Sequence, residues 1–176
     1  MAQSYEIADL RTNPKWIPVV ASWHHSEWLK GADSKSTTST ATYVGRDASE
    51  RIAKLHEHVS VQAIPSTFIA HQDGLPIGSI SLVNFQFTKG HQASEWLTNF
   101  FVIEGSRSQG VGSQLLNRLM LHATQNGIQR MFLYTKDKQD FYTKRGWVFS
   151  HQGLVQGATV KVLSYCLADH YLIKKC

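Results

Sequence analysis

The stretch from Leu97 to Ala123 constrains the fold of this chain more than any other. An apolar run, LTNFFVI, is followed by two glycines, Gly110 and Gly112, and then by apolar residues at helical spacing. Glycine is unfavourable inside both helices and strands, so a pair at this junction needs a physical reason. The pattern predicts a buried strand, a tight loop and an amphipathic helix in direct succession.

The predicted loop is suited to binding an anion. The first N–H groups of a helix have no partner within the helix, and they carry the positive end of its dipole. Because Gly110 and Gly112 have no side chains, a phosphate could approach those N–H groups closely. Arg107 adds a formal positive charge nearby. The sequence therefore predicts an anion site at the start of this helix.

Length and composition are those of one globular domain. The chain has 176 residues, of which 42% are hydrophobic and 18% charged, and we expect a single domain over residues 1–176. The N-terminus is polar, unlike a secretory signal, and no apolar run is long enough to span a membrane. These features predict a cytoplasmic protein with no membrane partner.

The net charge of +5 at pH 7 favours an anionic partner. The lysines and arginines are nevertheless scattered, and no basic run is longer than Lys174–Lys175. The aromatic and basic patterns that are typical of nucleic-acid binding do not occur in the sequence. We therefore expect a phosphorylated small molecule as the partner, and no nucleic acid.

The histidines do not form a metal-binding pattern. His24 and His25 are adjacent, and His56 and His58 are two residues apart, so neither pair can share a helix face. The sequence contains no HExxH motif. We expect no metal site.

The two cysteines predict no covalent chemistry. Cys166 lies in an alternating apolar stretch, which predicts a buried thiol, and Cys176 is the last residue. They provide neither a CxxC pair nor a disulfide framework. Neither has the environment of an activated thiolate, so we expect no acyl-enzyme on sulfur.

Periodicity and turn residues predict a mixed order of helices and strands. Asp73-Gly74 between two apolar runs predicts a β-hairpin, and Asn126-Gly127 marks the end of a helix. The other predicted elements are a weak strand over Tyr5–Leu10, a helix from Pro14 or Pro18 to Leu29 that ends before Gly31, a mobile loop over Gly31–Gly45, a helix over Arg46–Val59, a strand over Leu97–Ile103, a helix over Val111–Gln125, a strand over Arg130–Tyr134, a helix over Asp137–Arg145 with Gly146 after it, and a strand over Thr159–Leu167.

Two common phosphate-binding motifs do not fit the glycine loop. A Walker loop requires a lysine that is not present after Gly112, and a Rossmann fingerprint requires a third glycine where Leu115 stands. The pattern that fits is Arg/Gln-x-x-Gly-x-Gly/Ala, which reads RSQGVG from Arg107 to Gly112. Alone it is a weak signature.

A second motif, downstream of the glycine loop, indicates which protein family the sequence resembles. The segment from Phe141 to Trp147 reads FYTKRGW, and it follows a predicted strand downstream of the glycine loop. Together the two motifs resemble the GNAT superfamily of N-acetyltransferases, over about Ser66 to Ser150. The resemblance implies an α/β (α+β) GNAT-like fold, with a mixed central sheet of about six to seven strands flanked by about four helices.

The resemblance also implies a site for acetyl-CoA as cosubstrate. Backbone groups of Phe101 and Val102 would bind the pantetheine arm and the thioester carbonyl, where an N–H can stabilise developing negative charge. Glu104 and Ser108 depart from the family pattern, which commonly has proline and glycine there. The loop residues implied to bind the pyrophosphate are Arg107, Ser108, Gln109, Gly110, Val111, Gly112 and Ser113.

Tyr142 matches the family's general acid. A phenol with an ordinary pKa of about 10 is protonated at neutral pH and can protonate the departing thiolate. The amine must also lose a proton, and two acids are candidates for the base. Glu27 shares a helix face with Val20 and Trp23, which predicts a carboxylate on an apolar face, and Glu95 precedes the buried strand. The alternative for each acid is a salt bridge at the edge of the core.

The expected function is acetyl-CoA-dependent transfer of an acetyl group to a primary amine, by direct attack in a ternary complex. A small-molecule amine and a peptide N-terminus both stay open as acceptors, and a homodimer stays open as the assembly. The alternative is a non-catalytic acyl-CoA-binding or regulatory module on the same fold. Tyr142 favours the enzyme, because a module that only binds needs no phenol at this position.

Overall fold

A computed structural model describes residues 4–32 and 48–167, so residues 33–45 of the predicted mobile loop lie outside the described residues. Its α-helices are α1 (Ile17–Ala32), α2 (Ala48–Glu57), α3 (Val111–Gln125) and α4 (Gln139–Thr143). Its strands are β1 (Glu6–Asp9), β2 (Ser66–Gln72), β3 (Leu75–Phe85), β4 (Ser94–Val102), β5 (Arg130–Thr135), β6 (Val148–Val155) and β7 (Ala158–Cys166). Short 3₁₀ turns cover Leu10–Thr12, Pro14–Trp16 and Glu104–Ser106.

The strands form one seven-stranded sheet in the order β1-β2-β3-β4-β5-β7-β6. β4 and β5 are parallel, with Trp96 opposite Phe132, whereas the pairs β1–β2, β5–β7 and β6–β7 are antiparallel. Parallel neighbours require a crossover connection, which here contains α3. The mixed sheet, with four α-helices in the described part of the chain, confirms the predicted GNAT-like fold class.

The chain divides into two compact units. Unit 1 contains the described residues of 1–81 and 99–119, and unit 2 those of 82–98 and 120–176. The boundaries fall within β3, β4 and α3. The expectation of a single domain over the whole chain stays a prediction.

The core of unit 1 includes α1. Ile17 and Val20 are buried in one cluster with Leu55 of α2 and Ile69 of β2. The helix continues through Gly31 to Ala32, so the prediction that it ends before Gly31 is wrong. A single glycine costs a helix only about 1 kcal/mol relative to alanine, which the rest of the helix can offset.

The turn chemistry of the central elements follows the sequence closely. Asp73 and Gly74 join β2 to β3 with positive φ angles of 50° and 77°, as a two-residue hairpin of the predicted kind requires. The end of α3 is closed by the N–H of Ile128, which donates to the Ala123 carbonyl at 3.0 Å. The bounds of α3, Val111–Gln125, agree with the prediction.

β6 is a strand that the sequence did not predict. Among the described strands it pairs with β7 alone and forms one edge of the sheet, and the pairing register shifts between Phe149 and His151. Most of its residues are exposed, and Ser150, His151 and Gln152 break any apolar alternation. A strand that buries neither face leaves no period-two signal in the sequence.

Cys166 differs from its prediction in two ways. It is exposed, because it is the last residue of β7 and lies opposite the exposed Arg130. It is also disulfide-bonded, although no disulfide was expected. Cys176, the other cysteine of the sequence, lies outside the described residues.

Candidate active site

The glycine loop of unit 1 turns the chain from β4 into α3. Gly110 has a φ of 83°, a conformation that glycine adopts without steric cost, and its carbonyl accepts the Gln114 N–H at 3.0 Å as the helix begins. A Cβ added at Gly105 would meet nothing within 4 Å, and at Gly110 only the Tyr5 hydroxyl, at 3.5 Å. The space beside Gly110, the residue before α3, is therefore open to an incoming group, whereas Gly112 in the first turn packs against the Phe100 ring.

Arg107 is tied to the end of β4. Its Nε–H donates to the Val102 carbonyl at 2.9 Å, and its guanidinium carbon lies 5.9 Å from the centre of the Phe101 ring. The side chain is exposed, so the cation lies at the surface beside the helix start. One N–H of the five in the guanidinium is used in this hydrogen bond.

Gly78 allows β3 to approach β4 closely. A Cβ at this position would lie 2.9 Å from the Phe101 carbonyl oxygen and 3.1 Å from Leu115 Cδ1. Backbone cannot give way as a flexible side chain can, so only glycine fits here without a shift of β4. Gly78 is not among the predicted site residues, although a glycine inside a strand pattern can signal such an approach.

A buried polar chain connects α1 with β4. His24 Nε2 lies 3.0 Å from the Ser79 hydroxyl, which donates to the Asn99 carbonyl at 3.0 Å. His24 and Ser79 are buried. Helical spacing puts His24 on the same face as Ile17 and Val20, and that signal could have identified it in the sequence.

A second chain reaches Asn99 from the end of α2. His58 Nδ1 lies 2.7 Å from the Thr67 hydroxyl, which lies 2.7 Å from the Ser81 hydroxyl. The side-chain amide of Asn99 donates to Ser81 Oγ at 3.2 Å. Two hydrogen-bond chains therefore meet at one residue of β4.

Both histidines are neutral at pH 7. Burial lowers the pKa of His24 to about 3, and the positive charges of Arg51 and His58 add to the effect. Burial, assisted by the charge of Arg11, lowers the pKa of His58 to about 4, although a hydrogen bond with the Ser66 backbone acts in the opposite direction.

Tyr142 belongs to unit 2 and lies in α4. Its ring packs edge-on against Phe141 and Trp147, with centroids 5.1 Å and 6.0 Å apart. Burial raises the pKa of the phenol to about 12. The Trp147 N–H donates to the Tyr142 carbonyl at 3.2 Å, and the Gly146 N–H to the Thr143 carbonyl, so a turn that reaches the predicted glycine follows the helix. The helix itself, Gln139–Thr143, is shorter than the predicted Asp137–Arg145.

The two candidate bases differ from each other in exposure. Glu27 is exposed, so the expectation of a carboxylate on the apolar face of its helix is wrong. His24, three residues earlier in α1, is buried. Glu95 is half-buried, with the Asn84 amide 3.5 Å from its Oε1. Glu95 belongs to unit 2 and Glu27 to unit 1.

The structure brings together in unit 1 all the residues predicted to bind the cosubstrate. Phe101 and Val102 end β4, and the loop from Arg107 to Ser113 follows within the same unit. The acid predicted to protonate the leaving group, Tyr142, is described with unit 2.

Comparison with known proteins identifies the family. Residues 64–149 match the model of the acetyltransferase (GNAT) domain. Residues 64–149 carry a GNAT acetyltransferase domain. This confirms the predicted family and the predicted class of enzyme. No curated protein matches the sequence.

Solved structures share the fold of this GNAT protein at low sequence identity. An N-acetyltransferase from Staphylococcus aureus Mu50 is 16% identical with a TM-score of 0.70, over 93% of this chain and 99% of that one. The yncA protein of Salmonella typhimurium, solved with its cofactor acetyl-CoA, is 16% identical with a TM-score of 0.66, over all of both chains. Ard1 from Thermoplasma volcanium is 18% identical with a TM-score of 0.64, over 96% of this chain and all of that one.

Two further observations apply to residues 4–32 and 48–167. No group of three or more histidine, cysteine, aspartate or glutamate side chains there could hold a metal ion. No helix in this part of the chain is long and apolar enough to cross a membrane.

Proposed function

We propose that this GNAT protein transfers an acetyl group from acetyl-CoA to a primary amine, and that the amine attacks the thioester directly in a ternary complex. The observation that supports this most is the start of α3, where the left-handed Gly110 leaves open space in front of the first turn of the helix. The exposed cation of Arg107 beside it favours the pyrophosphate of acetyl-CoA. The acetyl-CoA in the Salmonella protein is consistent with this choice of cosubstrate.

The cosubstrate would lie along the chain from β4 into α3. The N–H groups of Ser108 to Ser113 and the guanidinium of Arg107 would bind the pyrophosphate. Backbone groups of Phe101 and Val102 would bind the pantetheine arm and the thioester oxygen. An N–H aimed at that oxygen stabilises the negative charge that develops as the tetrahedral intermediate forms.

Acetyl transfer requires a proton for the departing coenzyme A sulfur, and it releases a proton from the attacking amine nitrogen. The amine nitrogen forms a bond to the carbonyl carbon, and the C–S bond breaks with its electron pair remaining on sulfur. Tyr142 is protonated at neutral pH, as a phenol with an ordinary pKa of about 10 already is, and burial raises its pKa further, to about 12, so its hydroxyl has a proton to donate to the departing thiolate. A phenolate is a stronger base than a thiolate, and the tyrosine therefore recovers a proton from water after the thiol leaves.

The proton released by the amine requires an acceptor. Glu27 and Glu95 are the two carboxylates that we propose for this role, directly or through a water molecule. Glu27 is exposed, which suits exchange with solvent, whereas Glu95 is half-buried. Replacing each by glutamine separates them: loss of the acidic limb of the pH–rate profile in one variant alone would identify the base.

A covalent route through cysteine is not part of this proposal. Cys166 is disulfide-bonded, and a sulfur in a disulfide is no thiolate nucleophile. The double variant Cys166→Ala, Cys176→Ala should therefore retain its turnover number. Trapping of acetylated parent protein by mass spectrometry, together with loss of activity in a folded double variant, would show an acyl-enzyme instead.

Calorimetry with acetyl-CoA tests the cosubstrate site. Gly112→Val adds a branched side chain in the first turn of α3, where even a Cβ would lie 3.3 Å from the Phe100 ring. We expect at least about tenfold weaker binding, which corresponds to about 1.4 kcal/mol. Gly110→Val should weaken binding as much, but it adds backbone strain at a φ of 83°. Gly105→Ala is the matched control, because its Cβ would meet nothing within 4 Å.

The outcomes distinguish the proposed enzyme from the alternatives. Unchanged affinity in folded Gly112→Val would exclude the loop as the pyrophosphate site. Binding that is lost in this variant, combined with thiol release from acetyl-CoA by the parent in the presence of an amine, supports the enzyme. Binding without thiol release across small amines, amino acids and peptides would favour a non-catalytic acyl-CoA module.

A further inference from the structure

Asn99 has a backbone conformation that is unusual within a strand. Its φ is 52°, in the left-handed region, although it lies inside β4. Asparagine adopts left-handed φ angles more readily than most residues, but it does not prefer them to ordinary strand angles. Contacts with the surrounding structure must therefore stabilise this conformation. A residue of this kind bends a strand and changes the direction of the residues that follow, as in a β-bulge.

Two hydrogen-bond chains converge on this residue. The Ser79 hydroxyl donates to the Asn99 carbonyl, so it accepts from His24 Nε2–H. On the other side, Asn99 Nδ2–H donates to Ser81, so the Ser81 hydroxyl is free to donate onward to Thr67.

The second chain ends on a neutral imidazole. The Thr67 hydroxyl lies 2.7 Å from the Ser81 hydroxyl and 2.7 Å from His58 Nδ1, and it therefore connects the two. Ser81, Thr67 and His58 are all buried. Both the carbonyl and the side-chain amide of Asn99 are thus held from buried positions.

The three residues after Asn99 contact the elements that surround the proposed acetyl-CoA site. The Phe100 ring lies against the second residue of α3, where an added Cβ would be 3.3 Å from its Cζ. Phe101 packs against Trp23 of α1, with ring centroids 5.3 Å apart. The Val102 carbonyl accepts the Arg107 Nε–H. The direction that β4 takes at Asn99 therefore determines where all three contacts form.

We propose that Asn99 is a positioning residue for acetyl transfer, and that the chains from His24 and His58 act through it on the end of β4. Neither chain touches the cosubstrate in this account. They fix one conformation of Asn99, and that conformation aims the backbone of Phe101 and Val102 at the thioester. The inference rests on the proposed function, since it assigns a purpose to the same strand.

Serine-to-alanine substitutions test the two chains without changing the size of the core. Ser79→Ala cuts the chain from His24, and Ser81→Ala cuts the chain from His58. Loss of one hydrogen bond of ordinary net strength corresponds to about fivefold in rate, so we expect kcat to fall about fivefold in each. KM for acetyl-CoA should stay within about twofold, because the pyrophosphate contacts are unchanged. Ser164→Ala removes a hydroxyl from another buried serine, in β7, and should leave kcat unchanged.

Substitutions of Asn99 itself separate the effect of its backbone conformation on kcat from the effect of lost stability. Asn99→Gly permits the left-handed φ but no longer fixes it, and Asn99→Ala disfavours it. We expect kcat to decrease in the order parent, Asn99→Gly, Asn99→Ala at a temperature well below every midpoint of unfolding. In the Asn99→Gly background, Ser81→Ala should have no further effect on kcat, since its partner amide has gone.

Several results would overturn the inference. These are additive effects of Ser81→Ala and Asn99→Gly, equal kcat in Asn99→Ala and the parent, or a loss of kcat in Ser164→Ala as large as in Ser79→Ala. Failure of the proposed function appears separately, in the parent protein, as absence of acetyl-CoA binding and of thiol release. That result would remove both proposals, whereas an active parent with unaffected variants removes only the role of Asn99.

Discussion

Trp96 and Asn99 are three residues apart on β4, yet they belong to neighbourhoods of opposite chemistry. In unit 2, Trp96 stacks on Phe87 and Phe132 with centroids 4.8 Å and 5.4 Å apart, and Phe85 meets it edge-on at 6.2 Å. In unit 1, Asn99 ends two chains of directed hydrogen bonds.

The contrast separates two ways of ordering a strand. Aromatic rings accept a range of offsets and tilts, so they stabilise the sheet through buried area while tolerating small displacements. A hydrogen-bond chain has one direction and a narrow range of distances, and leaving one of its members unpaired in the interior is costly. We infer that β4 gains stability from its first half and a defined geometry from its second.

Of the tests of this contrast, acidification should have the largest effect, because it lowers the free energy of unfolding through His24 and His58. The folded pKa values of His24 and His58, about 3 and about 4, lie below the value of about 6.5 expected for the unfolded chain. The unfolded state therefore binds more protons, and the stability that is present above pH 6.5 is lost as the pH falls through that value. By pH 5 each histidine should cost about 2 kcal/mol of the free energy of unfolding.

Urea unfolding at pH 8 and pH 5 measures this loss. His24→Asn should reduce the difference between the two pH values, and His151→Gln, a change at an exposed histidine of β6, should not. Hydrogen exchange should show that the amides of unit 1 lose protection first. Equal free energies of unfolding at both pH values would mean that the two imidazoles are not buried as neutral groups.

Tyr142→Phe tests the aromatic side of the comparison, where one hydroxyl has a proposed chemical role. Packing against Phe141 and Trp147 is retained, and only the proton donor is removed. Loss of a general acid typically lowers the rate by about 10²–10⁴-fold, and a thiolate is a good leaving group, so we expect about 100-fold in kcat. Affinity for acetyl-CoA should change little.

Tyr165→Phe is the matched control for Tyr142→Phe. It removes the same atom from a ring that packs on Trp147 at 5.5 Å, within the same aromatic group. We expect its kcat to equal that of the parent. A Tyr142→Phe variant with parental kcat and an unchanged melting temperature would make Tyr142 a packing residue and leave protonation of the thiolate to water.

Gly78→Ala should disturb the second half of β4, the half that contains Asn99, because the added methyl group crowds it. The new Cβ would lie 2.9 Å from the Phe101 carbonyl oxygen, so β3 or β4 must move. Overpacking of this kind costs typically about 1–3 kcal/mol, and we expect a value near the middle of that range by urea unfolding, with weaker acetyl-CoA binding. Gly105→Ala, which meets no neighbour, should leave both quantities unchanged. Full stability of Gly78→Ala would show that the strands can separate easily.

Ser108→Gly should have the smallest effect, and it stabilises. Ser108 has a φ of 60°, which costs a residue with a Cβ about 1 kcal/mol, and glycine relieves that cost while adding entropy to the unfolded chain. We expect the free energy of unfolding to rise by about 0.5 kcal/mol. Gln156→Gly, at a φ of 52° in the β6–β7 turn, is the matched change in unit 2. If the loop conformation serves acetyl-CoA, calorimetry should detect altered affinity only in Ser108→Gly.

The elements best predicted from the sequence are those whose signals are local. α3 has glycines before it, Asn126-Gly127 after it and apolar residues at helical spacing throughout, so its bounds agree with the prediction. β6 has no such signal, because it is largely exposed and its apolar residues do not alternate with polar ones; its pairing with β7 is not visible in the local sequence.

The predicted site shows the same division. The glycine loop could be located from a short motif, because a phosphate needs bare backbone at one helix start. The role of Asn99 could not be predicted from the sequence, because its hydrogen-bond partners Ser79 and Ser81 are 20 and 18 residues away. His58 is connected to it through Thr67 and Ser81, which no local pattern indicates. Glu27 was expected on an apolar face because periodicity gives the direction of a side chain but not how far along α1 the core extends.

The register shift in β6 has a consequence for how this protein behaves in concentrated solution. An edge strand presents unpaired N–H and C=O groups that a second molecule can extend into a continuous sheet, and β6 also exposes Val148 and Leu154. The irregularity between Phe149 and His151 interrupts the even spacing that such a template needs. β6 can therefore remain at the margin of the sheet with its apolar side chains in water, and a substitution that straightens it would be expected to cost solubility before it costs activity.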